Sequence, residues 1–346
     1  MIEQLIPHLA QQLELADEQV GLAVEWLADP VQKVELKAEF LTALALKGET
    51  PAEIAAFARA LRAKSLRPQL DPATRALEIL EIVGTGGDRL GTINISTTAA
   101  LICSAAGVTV AKHGNRAVTS QAGSADVLEA LGIRIDLSPE AAAASLRDHQ
   151  FAFFFAPQYH PAFQHIGPAR RLCATRGQRT IFNLLGPLLN PVSPSAMVLG
   201  VPRPEFCSPL AIVLQSLGVR RAMVVCGQAS AESFLDELST LGENTIAEFY
   251  QERGFTVSTT RPDHFPLLPA ELSDLKGGDK WENARIVRNI LHGIELGPKR
   301  DAVLLNAAAA LFVAGKTKSL AGGWDLAEST IVDGKAIAKL AELTAS

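Results

Sequence analysis

Leu5, Leu9 and Leu13 recur at four-residue spacing, and Val20, Val24 and Leu27 repeat the interval, so the chain opens as amphipathic helices. Asp29-Pro30 supplies an N-cap and a first-turn proline for a third helix, which Gly48 ends. A fourth helix starts from a capping box, Thr50 with Glu53, and has Pro51 at its first position. Ile54, Phe57, Ala58 and Leu61 form its apolar stripe. Residues 1–70 therefore read as a helical domain, with a proline-containing linker from Ser65 to about Thr74. From Ile79 the period changes. Ile79–Val83, Val108–Ala111, Phe151–Phe155 and Ala222–Val225 are short apolar runs closed by glycine or proline, with alanine-rich helical segments between them. This alternation predicts an α/β domain with a largely parallel sheet over residues 75–346. Ligands of such sheets bind where the carboxyl ends of the strands meet the loops.

Composition narrows the picture. A chain of 346 residues exceeds what a single core usually organises, so two domains are expected. With 48% hydrophobic and 20% charged residues it is not a disordered chain. A net charge of −5 provides no cationic field for nucleic acid or an anionic membrane, and neither is expected as a partner. No apolar run approaches the ~20 residues of a membrane span, and no signal peptide is readable. Cys103, Cys173, Cys207 and Cys226 are scattered and read as reduced thiols of a cytoplasmic protein.

Three stretches could carry chemistry. Gly84-Thr85-Gly86-Gly87-Asp88 follows the first strand and runs through Thr92 and Asn94 into a helix. Its glycines let backbone N–H groups approach an anion, and Asn94, Ser96 or Thr97 can cap the helix whose N-terminus favours phosphate. The spacing is neither a dinucleotide fingerprint, since Arg89 stands at the third glycine position, nor a Walker loop. Lys112-His113-Gly114-Asn115-Arg116 follows the second strand, with Thr119-Ser120 and Ser124 behind it. Two such loops in succession point to a polyanion. The adjacent carboxylates Asp236 and Glu237 read as a solvated acidic pair or, beside a polyphosphate, as partly exposed hard ligands for Mg2+. His160 and His165 lack helical metal spacing and read as packing or hydrogen-bonding residues.

Together these stretches resemble the anthranilate phosphoribosyltransferase family. The likeness runs in order through GTGGD (84–88), TINIST (92–97), KHGNRAVTSQAGSADVLEALG (112–132), FAPQYHPAF (155–163), RTIFNLLGPLLNP (179–191) and DE (236–237). It continues through LKGGD (275–279), LLNAAAAL (304–311) and DGKA (333–336). The resemblance implies a nucleoside phosphorylase-like fold, in which a small all-helical N-terminal domain is hinged to a larger α/β catalytic domain. The helical domain would dimerise and be joined by helices from about 165–190. Phosphoribosyl pyrophosphate contacts would fall on Gly84, Gly87, Asp88, Thr92, Asn94, Ile95, Ser96, Thr97, Lys112, His113, Gly114, Asn115, Arg116, Ala117, Val118, Thr119, Ser120 and Ser124. Anthranilate would meet Gly84, Asn115 and Arg170, and Mg2+ would be held at Ser96, Asp236 and Glu237. The implied reaction places the phosphoribosyl group on the anthranilate nitrogen and releases pyrophosphate, a step of tryptophan biosynthesis.

Two departures from the family pattern stand out: Thr119-Ser120 replaces a serine pair, and Leu172–Gln178 is about three residues longer than usual. A pyrimidine nucleoside phosphorylase shares the glycine loop, but Asp236-Glu237 and the Arg170 region argue against it. A non-catalytic nucleic-acid binder of the same fold would need an extended basic surface, which the acidic first domain does not offer.

Overall fold

The computed structural model describes residues 2–117, 121–251 and 253–345. Four helices come first: α1 (Ile2–Ala10), α2 (Asp17–Ala28), α3 (Val34–Lys47) and α4 (Pro51–Ala63). The capping box of α4 forms as expected, with Glu53 N–H donating to Thr50 Oγ1 and Thr50 N–H donating to Glu53. Two expectations are corrected. Leu13 lies beyond the end of α1 and is exposed, and α3 begins at Val34 instead of after Asp29. Asp29 instead ends α2, where its carboxylate accepts from Val31 N–H and Gln32 Nε2, a local turn that competes with helix initiation. The linker holds a short helix, α5 (Pro72–Ala76), capped by Asp71.

The sheet has β1 (Ile79–Gly84), β2 (Thr109–Gly114), β3 (Phe151–Phe155), β4 (Ala196–Gly200) and β5 (Arg221–Gln228) in parallel. Antiparallel strands β6 (Phe234–Leu235), β7 (Asn244–Tyr250) and β8 (Gly254–Thr260) complete it. The order is β3-β2-β1-β4-β5-β7-β8, with β6 on the end of β5, so the sequence order reverses between β1 and β4. That reversal makes the carboxyl ends of β1 and β4 the expected ligand crevice. The helices of the α/β unit are α6 (Ile95–Ala105), α7 (Ser124–Leu131), α8 (Pro139–His149), α9 (Ala156–Tyr159), α10 (Phe163–Thr175), α11 (Phe182–Leu185) and α12 (Cys207–Ser216). Four more follow the sheet: α13 (Lys280–Leu291), α14 (Pro298–Val313), α15 (Leu320–Val332) and α16 (Lys335–Ala345).

Strand alternation divides the core. Ala196 and Val198 of β4 face one cluster, which includes α6, α14 and α16. Met197, Leu199 and Val201 face another that runs without a break into α1–α4 and α10. The helical segment and one face of the sheet thus share a core. Lys37 of α3 ties α10 to it by donating to the His165 carbonyl at 3.0 Å. Among the described residues no helix is long and apolar enough to cross a membrane.

Candidate active site

β1 ends at Gly84 beside Gly200, its register partner at the end of β4. The chain returning from β6 crosses directly above them. A Cβ on Gly200 would lie 1.6 Å from the Asp236 carbonyl oxygen, so only glycine lets this segment sit there. Asp236 and Glu237 therefore occupy the crevice at the strand-order reversal. They are buried, at 6% and 9% exposure, not partly exposed as the sequence reading held.

Each carboxylate has a specific partner. Asp236 Oδ2 accepts from Gly86 N–H, from Thr85 Oγ1 at 3.1 Å and from Gly87 N–H at 3.3 Å. The glycine loop does form an anion-facing turn, with Gly86 at φ +71°, and an acid of the same chain fills it. Glu237 Oε1 accepts from Ser96 N–H at the first turn of α6. The expected side-chain cap of α6 is absent: Asn94 occupies the cap position, but its amide donates to the Ala122 carbonyl and accepts from Asn283 Nδ2. Ile95 and Thr97 are buried in that turn, and Thr92 pairs with Lys276 outside it.

Burial and neighbouring Asp88 hold Asp236 well above the usual carboxylate range, and burial and Asp236 do the same to Glu237. Lys112 is the adjoining cation. Burial pulls its ammonium below the ordinary range while Glu237 and Glu81 oppose the shift, and Nζ donates to the Ile82 carbonyl at 2.8 Å. One buried ammonium adjoins several acids that hold their protons more tightly than usual. Hard oxygen donors gathered in this way suit a divalent cation, whose binding would displace those protons. Among the described residues no three His, Cys, Asp or Glu side chains converge on a closed metal cage. Mg2+ held by one or two carboxylates and substrate phosphates needs none.

The second loop lies at the same edge. Ser124 Oγ donates to the Asn115 carbonyl and faces Gly114. Ala117 N–H donates to Asp126. Arg116 is exposed, paired with Asp126 and bidentate to Glu129, and lies over the Phe155 ring. Val118, Thr119 and Ser120 lie outside the described residues.

Arg170 sits on α10, half-buried, with its guanidinium 5.0 Å from the Phe182 ring centre. Among the described residues nothing pairs with or hydrogen-bonds to that guanidinium, and burial lowers its pKa. Arg171 is exposed and turned elsewhere. A path of rings joins Arg170 to the second loop: Phe182 meets Phe163 edge-on, Phe163 stacks on His160, and His160 Nε2 lies 3.1 Å from His113 Nε2. His160 is thus a hydrogen-bonding residue, as read from the sequence.

Sequence reasoning missed the buried residues behind the site. Glu81 accepts from His113 N–H and from Asn190 Nδ2, both at 3.0 Å. Asn306 bonds the backbone of Leu238, the residue after Glu237. Asn306 was visible only as the one polar interruption of an alanine-rich helix.

The sequence model of a glycosyl transferase family, a/b domain, matches residues 76–337, and that of its helical bundle domain matches residues 3–65. An anthranilate phosphoribosyltransferase from Lacticaseibacillus casei is 43% identical, covering 100% of this chain and 97% of the relative. The chain belongs to the anthranilate phosphoribosyltransferase family. The crystal structure of the Thermus thermophilus family member superposes with a TM-score of 0.88 at 42% identity, covering 98% of each chain. The Saccharomyces cerevisiae enzyme, solved in complex with PRPP and Mg, gives 0.85 at 28% identity over 99% of this chain and 96% of that one. It has also been solved with 4-fluoroanthranilate, at 26% identity over 99% and 98% and a TM-score of 0.85. Residues Leu172 to Gln178 of this anthranilate phosphoribosyltransferase family member form the last turn of α10 and the turn that ends it. There Gln178 N–H donates to the Cys173 carbonyl, and Gly177 has φ +70°. Cys173 donates through sulfur to the Ala38 carbonyl, which anchors this turn to α3.

Proposed function

We propose that the protein transfers the phosphoribosyl group of phosphoribosyl pyrophosphate to the amino nitrogen of anthranilate, giving N-(5-phosphoribosyl)anthranilate and pyrophosphate in tryptophan biosynthesis. The observation that carries the reading is the buried Asp236-Glu237 pair, laid across the glycine loop and the start of α6 at the strand-order reversal. Asp236, Glu237 and the Ser96 hydroxyl are the residues that would hold Mg2+, with Asp88 beside them. When bound, the ion neutralises charge on the departing pyrophosphate.

The chain's own groups supply the rest. The Gly86 and Gly87 N–H groups, with the first turn of α6, receive phosphate oxygens once Asp236 yields them. Gly84, Gly87, Asp88, Thr92, Asn94 to Thr97, Lys112 to Ser120 and Ser124 border the phosphoribosyl pyrophosphate. Arg170, unpaired and backed by Phe182, takes the anthranilate carboxylate. Gly84 and Asn115 face the anthranilate ring. The bond from the anomeric carbon to pyrophosphate oxygen breaks as the carbon–nitrogen bond forms, and the nitrogen loses its proton to solvent. An aromatic amine is neutral near pH 7, so alignment carries more of the rate than a strong base would. No side chain forms a covalent intermediate.

The buried, unpaired cysteines suit a cytoplasmic protein. Exposed Leu13, Val31 and Leu46 in the helical segment suit a homodimer built there, which light scattering of the purified protein would detect. Loss of anthranilate fluorescence that requires both phosphoribosyl pyrophosphate and Mg2+ tests the activity. Thymidine with phosphate is the control for a phosphorylase. Turnover of thymidine alone would overturn the proposal.

A further inference from the structure

The segment that carries Asp236 and Glu237 belongs to no strand, and it lies buried. Its next residue, Leu238, is 2% exposed, and among the described residues neither its N–H nor its C=O finds a backbone partner. Both are met by one side chain. Asn306 Oδ1 accepts from Leu238 N–H at 2.9 Å, and Asn306 Nδ2 donates to the Leu238 carbonyl at 2.9 Å. The second amide hydrogen goes to the Ala302 carbonyl, one turn back in α14. Asn244 repeats the device on the following residue, accepting from Ser239 N–H at 2.7 Å and donating to its carbonyl at 3.0 Å.

Asn306 is fully buried among Ala302–Ala310, where every other residue is apolar. A buried amide in a helix interior is costly unless its hydrogen bonds are made, and here the oxygen and both hydrogens are used. Upstream, the Asp236 carbonyl rests on Gly200, which has no side chain to displace it. The two carboxylates therefore hang from a piece of backbone held at Gly200 on one side and at Asn306 on the other.

We propose that Asn306 is a positioning residue for the cation-holding carboxylates: by locking both backbone groups of Leu238, it sets where Glu237 and Asp236 present their oxygens. This rests on the reading of Asp236 and Glu237 as the Mg2+ holders. Asn306 touches neither metal nor substrate, so its effect travels through one residue of backbone. Groups behind metal ligands commonly change metal affinity ten- to a hundredfold when removed.

The test is Mn2+ binding followed by electron paramagnetic resonance, with phosphoribosyl pyrophosphate present and anthranilate omitted so that nothing turns over. Asn306→Leu keeps the branched shape and removes all three hydrogen bonds. Asn306→Ser serves if that variant does not fold. Leu311→Ala, elsewhere on α14, provides a stability loss without touching Leu238. The expected result is a roughly tenfold or greater rise in half-saturating Mn2+ for the Asn306 variant, with anthranilate KM within about threefold and Leu311→Ala unchanged in Mn2+ binding. Unchanged Mn2+ binding in the Asn306 variants, or an equal shift in Leu311→Ala, overturns the positioning role while leaving the site reading intact. A wild-type protein that binds no Mn2+ with phosphoribosyl pyrophosphate overturns the site reading, and this proposal with it.

Discussion

The carboxylate of Asp236 accepts the backbone N–H of Gly86 at 2.5 Å, so the donors that the glycine loop turns toward an anion are held by an acid of the same chain. An incoming phosphate oxygen and the Asp236 carboxylate compete for those amides. A divalent cation held at Asp236 would draw the carboxylate away and free those amides. Phosphoribosyl pyrophosphate and the cation are therefore expected to enter together, each releasing the group the other needs.

Asp236→Asn combined with Glu237→Gln is expected to lower turnover on the order of a hundredfold or more, as for the loss of other preorganised charge-stabilising groups. It is also expected to raise the stability of the metal-free protein. Both acids are held above their unfolded values, so their contribution is fully present below the unfolded values and is lost as pH rises through the folded ones. The double amide removes that loss. Calorimetry from pH 4 to 8 without metal should show a flatter stability profile for the variant. An unaltered profile together with normal turnover at limiting Mg2+ would count against the assignment.

Gly86→Val is expected to weaken phosphoribosyl pyrophosphate binding roughly tenfold or more, since a φ of +71° is a conformation β-branched residues resist. No protein atom lies within 4 Å of the added Cβ, so the fold tolerates the side chain and the loop bears the strain. Anthranilate affinity should change much less. Titration calorimetry with each substrate separates the two outcomes, and equal losses would mean a general disturbance of the cleft.

Periodic apolar spacing made the opening helices readable, because each buries one face, and unbroken apolar runs revealed β1, β3 and the interior of β5, which are buried on both faces. β4 and β8 did not announce themselves. Ala196–Gly200 is short and framed by serine and proline turns, while residues 254–259 of β8 are exposed and show no inside-outside alternation. At the site, the glycines and the acidic pair were legible because they occur in clusters. Glu81, Asn190 and Asn306 were not, because an isolated polar residue reveals its role only when the fold shows which backbone groups it satisfies. Equally hidden was the contact by which Asp236 fills the glycine loop, since the two lie 150 residues apart in the sequence.

His160 should work against Asp236 and Glu237, because its own contribution to stability falls as pH drops below neutrality. Burial holds its ring near a pKa of about 4 against an unfolded value of 6.5, and burial also holds that of His113 well below its ordinary value. A depressed value gives stability that is present above the unfolded pKa and lost as pH falls toward the folded one. For His160 this loss is about 2 kcal/mol between pH 7 and 5. In denaturant unfolding, the change in stability between pH 7 and 5 should differ by that amount between the unaltered protein and His160→Gln, which cannot titrate. Parallel changes in the two proteins would remove His160 from the pH dependence.

Arg170→Ala is expected to raise the KM for anthranilate about tenfold or more while that for phosphoribosyl pyrophosphate moves little. The physical basis is the loss of a charge-assisted hydrogen bond, worth ~1.5–3 kcal/mol, or roughly ten- to a hundredfold in binding. The structure sharpens the comparison with Arg171. The two residues are neighbours on α10, so their side chains diverge by about 100°, and only Arg170 is half-buried against Phe182, with no anionic partner among the described residues. Arg171 is exposed and curls back over Gly167. Arg171→Ala should therefore leave both KM values within about twofold, as surface substitutions away from special features usually do. Steady-state kinetics on the two variants decides the assignment. A large anthranilate effect at Arg171 with none at Arg170 would reverse it. Small effects at both would mean that the end of α10, through Arg176, or Arg179 beyond it, has taken over the acceptor carboxylate.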